Sequence, residues 1–140
     1  MQNYDIDDFV AQFNDLAKPF ALTMQNPTVY EDNANFIVFS IPVSNGCGVG
    51  ITADKQSGMY TNLAIVGSAT SYTSFFDTVF VILKQIDSQL TTAEANSILQ
   101  QLGEGKPAEQ INGSLSFENA ALSLKYEAQS NLFIFEYTAK

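Results

Sequence analysis

The chain predicts an α+β domain, a mainly antiparallel sheet with helices packed on one face. Three observations lead there. Its 140 residues fit one domain, 1–140, because a second core would leave both halves too small to hold together. A hydrophobic fraction of 46%, with 11 Phe and 6 Tyr, fills one core well. Apolar spacing switches from helical to alternating, back to helical and again to alternating, with no internal repeat and no linker.

The first helix is predicted over residues 5–17, where Ile6, Phe9, Val10, Phe13 and Leu16 recur on one face. Asp5 is placed to cap it, and Asp7 and Asp8 stand in the first turn, where the helix dipole favours negative charge. Pro19 stops it. The acidic trio thus reads as capping. As a calcium cluster it lacks the Gly and bidentate Glu of a calcium loop.

Strands follow. Residues 20–24 alternate weakly before Asn26-Pro27, and residues 36–43 alternate strongly, with Pro42 marking an edge or a strand end. Residues 49–53 and 59–66 form the clearest hairpin, turned by Asp54-Lys55-Gln56-Ser57-Gly58. The longest helix is expected over residues 71–90. Phe75, Phe76, Val79, Phe80, Leu83 and Ile86 belong to its apolar stripe, while Lys84 and Gln85 face solvent.

Thr91-Thr92-Ala93-Glu94 is a capping box opening a helix that carries Ala95, Ile98, Leu99 and Leu102 and stops at Gly103. Asn112-Gly113 reads as a turn, although Asn112-Gly113-Ser114 also matches a glycosylation acceptor. Strands close the chain at 115–117, 121–126 and 132–137. The order is α-β-β-β-α-α-β-β-β, with three or four strands in the first run, and it suits an antiparallel sheet with helices to one side.

Composition excludes more than it suggests. Fifteen acids oppose six bases, all of them Lys, for a net charge of −9. Nucleic-acid binding needs Lys and Arg to neutralise phosphates, and an anionic membrane surface repels such a chain. Acidic mimicry of nucleic acid is disfavoured because the acids are scattered. No apolar run approaches the roughly 18 residues of a membrane span, so no membrane insertion is expected.

With no His, no Ser–His or Cys–His nucleophile pair exists. The single Cys47 allows no disulfide within the chain and no multi-thiolate metal site. No catalytic, cofactor-binding or metal-binding residue is therefore assigned, and no cofactor is expected.

The stretch Ser44-Asn45-Gly46-Cys47-Gly48-Val49-Gly50 lies between strands, without the helix N-terminus of a phosphate site. Cys47 reads as a small filler in a turn, with a reactive thiol as the alternative. Tyr60, Tyr72, Tyr126 and Tyr137 read as core margin. With fifteen acids some carboxylates must fall close together, so proximity of two carries no information about glycoside hydrolysis.

Three features carry a resemblance over residues 36–138: the Asp54–Gly58 hairpin leading through a strand into a long helix, the run Leu90-Thr91-Thr92-Ala93-Glu94 continuing to Gly103, and the aromatic strand pair at residues 121–137. Together they resemble small uncharacterised bacterial extracytoplasmic or lipoprotein-type domains. The resemblance implies no activity and no catalytic residue. This sequence departs from it in showing no leader and no lipid-attachment Cys, since Cys47 is mid-chain.

The expected function is a non-catalytic binding domain working outside the cytoplasm or at its boundary, its ligand unassigned, with a protein partner or self-association. The alternative is a cytoplasmic acidic inhibitor or immunity protein directed at a basic partner. An enzyme using only carboxylates, Tyr or Lys ranks third. The compartment turns on Met1: cytoplasmic if it is the native start, extracytoplasmic if a leader has been removed. The expected partner surface is a sheet face without helical cover, its residues unassigned. Either Phe133, Phe135 and Tyr137 or Leu132, Ile134 and Glu136 must lie on it.

Overall fold

A computed structural model describes residues 4–140; Met1, on which the leader question turns, lies outside them. Helix α1 (Ile6–Leu16) is followed by strands β1 (Thr28–Asp32), β2 (Phe36–Pro42), β3 (Gly48–Asp54) and β4 (Met59–Ser68). Helices α2 (Tyr72–Ile86) and α3 (Thr92–Leu102) come next, then β5 (Asn112–Ser116), β6 (Ala120–Glu127) and β7 (Leu132–Ala139). The strands make one antiparallel sheet in the order β1-β2-β3-β4-β7-β6-β5. This is the α+β fold expected. Two meanders, β1–β4 and β5–β7, join where β4 pairs with β7, Ile65 opposite Phe135.

Alternation along each strand sends one set of side chains to the helices. Phe39, Ile51, Leu63, Leu124, Phe133 and Phe135 are all buried there. The Phe75 and Phe133 rings, 5.2 Å apart, seat α2 on the sheet. Phe133, Phe135 and Tyr137 therefore lie beneath the helices, and Leu132, Ile134 and Glu136 take the other face. That face mixes small and polar residues, such as Ser40, Gly50, Thr52 and Ala64, with half-buried apolar ones, such as Val38, Val66 and Ile134.

The caps form as the residues dictate. The Asp8 amide donates to the Asp5 carboxylate at 3.2 Å. Thr91 and Glu94 exchange hydrogen bonds of 3.0 and 3.1 Å, satisfying amides that the helix leaves free.

Four expectations need correction. Residues 20–24 are not a strand: Lys18–Phe20 is a 3-10 turn, Ala21 is left-handed at φ 57°, and Met24 makes a single bridge to Val43. The first strand is β1 instead, every residue of which is exposed. Gln85 faces inward rather than to solvent: it is 6% exposed, and its Nε2 donates to the Phe9 carbonyl at 2.8 Å. Helix α1 packs on that side of α2 and supplies the acceptor.

Asn112-Gly113 is not a turn but the start of β5, and Phe117, expected in a strand, lies just beyond it. Gly113 is required there. A Cβ would come within 2.4 Å of the Leu102 carbonyl oxygen, so only glycine lets β5 lie directly on the end of α3.

Candidate binding groove

The residues singled out from the sequence do not converge on one site. Asp5, Asp7 and Asp8 cap or open α1. Cys47 is 3% exposed, and burial pushes its thiol above the ordinary range despite hydrogen bonds to Thr78 and Asn45. Its loop is tied to α2, since Asn45 Nδ2 donates to Thr78 Oγ1 at 3.0 Å and to the Ser74 carbonyl at 3.2 Å. Such a thiol is a poor nucleophile. Tyr60 is buried, its hydroxyl accepts from the Asp5 amide at 3.1 Å, and burial raises its pKa to about 12. Among the described residues no group of three or more Cys, Asp or Glu side chains is placed to share a metal ion.

Apolar surface is concentrated elsewhere. A groove of about 560 Å³ opens between the end of α2, the turn after it, α3 and the β5–β6 turn. Leu83 and Ile86 form one wall, Ile98 another, and Leu122 and Tyr137 the floor. The floor is uncharged at neutral pH: Leu122 is apolar, and the Tyr137 phenol, protonated there in any case, is pushed higher still by burial. Phe117 stands at the mouth, 45% exposed, beside Glu118, and Asp87 lies across from them.

The position of Phe117 has local causes. Its amide donates to the Ala120 carbonyl at 2.8 Å, closing the β5–β6 turn. Lys140 then clamps that turn: its ammonium donates to the Phe117 carbonyl at 2.8 Å and to Ser116 Oγ, and its amide donates to the Asn119 carbonyl at 2.9 Å. The aromatic ring is thus displayed on a braced turn.

Comparison with protein-family models, with curated proteins and with solved structures finds no match.

The site must therefore be read from its own chemistry. An apolar trough with two carboxylates at its mouth accepts aliphatic or aromatic side chains and favours a positive charge beside them. Its ionisable groups are the exposed Asp87 and Glu118 at the rim and the Tyr137 phenol in the floor. A second acidic pair lies away from it. Burial raises the pKa of Asp77 on α2, and burial together with the Asp77 charge raises that of Glu104 after α3.

The groove was not visible in the sequence. Its walls come from residues 83–98 and 117–137, which only the fold brings together. The one local signal was Phe117 next to Glu118 and Asn119, an aromatic residue in polar company.

Proposed function

We propose that this chain is a non-catalytic binding module that holds an apolar, positively charged segment of a protein partner in the groove beside Phe117. The observation that carries the reading is the large aromatic ring left 45% exposed over an apolar trough with an acidic rim. Exposed apolar surface rimmed by polar groups is where protein partners dock, and aromatic anchors supply much of the affinity. The net charge of −9 adds long-range attraction for a basic partner.

The lack of His and Arg supports a binding rather than a catalytic role. Two settings fit: an extracytoplasmic binding domain, which the resemblance favours, and a cytoplasmic inhibitor of a basic protein, which the charge favours. Among the described residues no helix is long and apolar enough to cross a membrane. The open sheet face is the weaker surface for self-association, since its apolar residues, Val38, Val66 and Ile134 among them, are half-buried rather than exposed.

A photo-crosslinking residue in place of Asn119, expressed in the native host, tests the reading. Phe117→Ser should abolish the adduct while leaving the fold intact, and the trapped protein should be basic. Crosslinking that persists in Phe117→Ser, or that arises only from a residue on the open sheet face such as Thr52, defeats the proposal.

A further inference from the structure

We propose a second docking element, independent of the groove: the free edge of β1 takes up an extended, Lys-bearing segment of a partner as an eighth strand. Among the described residues, strand β1 ends the sheet and pairs only with β2. All five of its residues are exposed, with Val29 at 55% and Tyr30 at 78%, the register shifting between Val29 and Glu31. Natural edge strands are commonly blunted by short length, charge, Pro or a bulge. This one is short and bulged, but its charges are acidic and no Lys or Pro lies within it, so it repels acidic strands rather than Lys-bearing ones.

The edge is also held in place before anything binds. At one end the Thr28 hydroxyl reaches the Ser40 carbonyl at 3.4 Å. At the other, Asn33 Oδ1 accepts from the Asn35 and Phe36 amides at 2.8 and 3.0 Å. Asp32 pairs with Lys55, whose amide donates to the Asn35 carbonyl at 2.9 Å, locking the β1–β2 turn to the β3–β4 turn. An incoming strand therefore orders itself but not β1, which lowers the entropic cost of strand addition.

Charge selects the occupant. Glu31 and Asp32 lie on the edge, and Glu31 Oε2 accepts from Asn33 Nδ2 at 3.0 Å rather than pairing with a cation. A second copy brings another −9 and a like-charged strand against this one. A segment alternating Lys with apolar residues instead places cations near Glu31 and apolar contacts on Val29 and Tyr30.

The test is amide hydrogen exchange of the full chain with a blocked decapeptide alternating Lys with Val. The controls are the same peptide with Glu for Lys, and one methylated at every peptide nitrogen. The Lys–Val peptide should slow exchange within Thr28–Asp32 by about tenfold or more. Glu31→Lys, an exposed change that leaves the fold intact, should weaken binding by about tenfold at low salt. No protection of β1, equal binding of the methylated peptide, or protection confined to the Phe117 groove overturns the proposal. Protection of β1 that rises with protein concentration alone overturns it in favour of self-pairing.

Discussion

Replacing Gln85 with Ala and with Met should move stability in different directions. The side chain is 6% exposed on α2, its Nε2 donates to the Phe9 carbonyl at 2.8 Å, and its Oε1 is buried without a partner. Ala removes a hydrogen bond worth about 1 kcal/mol and leaves a cavity where the side chain packed, worth about another 3 kcal/mol, offset by about 2 kcal/mol because the unpaired Oε1 goes with it. The expected loss is about 2 kcal/mol, or about 8 °C in Tm for a domain of this size. Met keeps the volume and also loses the hydrogen bond, but it deletes an unpaired buried acceptor that costs about 1–3 kcal/mol. Its net effect should lie between neutral and about 2 kcal/mol of stabilisation. Urea unfolding with an unchanged m-value reads both directly. If Ala costs less than about 0.5 kcal/mol, Gln85 is on the solvent side after all. If Met destabilises as much as Ala, Oε1 is satisfied in solution and the reasoning about the orphaned acceptor fails.

Gly113→Ala should cost about 3 kcal/mol or more, because the Leu102 backbone 2.4 Å from the new Cβ has no side-chain freedom with which to yield; thermal unfolding checks it, and a loss under about 1 kcal/mol would mean that β5 does not rest on α3. Asp77 has a folded pKa above its unfolded value, so the native state holds the proton more tightly. Its contribution is fully favourable below the unfolded pKa and is lost as pH rises through the folded one. Asp77→Asn should therefore raise stability at neutral pH and flatten the pH profile just above the ordinary Asp range, whereas an unchanged profile contradicts the assignment. Asp54 and Glu94, lowered mainly by hydrogen bonds from Ser57 and Thr91, act in the opposite sense and lose their contribution on acidification. Native Cys47 should react with a thiol reagent only slowly at neutral pH, and at the full rate in urea; fast native labelling shows that its loop opens.

Strongly patterned segments were legible from residue spacing. The α1 stripe, the Thr91–Glu94 capping box and the β3–β4 and β6–β7 hairpins each declare themselves through local chemistry. What escaped has physical causes. Strand β1 is exposed along its whole length, so no apolar alternation marks it. Phe20, Leu22 and Met24 alternate and mimic a strand, yet Leu22 and Met24 are buried by an irregular segment after a 3-10 turn. Gln85 looked solvent-facing because the stripe on α2 was read against the sheet alone, while α1 covers another side of that helix. The groove escaped for the same reason: its walls belong to elements that meet only in the folded chain.

The place of β7 within the sheet bears on how the chain is born. Strand β4 finds its neighbour on one side at once, in β3, but its other neighbour is β7, which follows every other strand in sequence. Between synthesis of Ser68 and of Ala139 a ribosome adds 71 residues (139 minus 68), which takes about 4 to 14 s at 5–20 residues per second. For that interval the first meander carries an unpaired inner edge at Asn62–Ser68, flanked by the apolar Leu63 and Ile65. Nascent chains on neighbouring ribosomes are thus most prone to pair wrongly before residues 132–139 emerge, and a holdase chaperone acting on this protein has its natural target in β4.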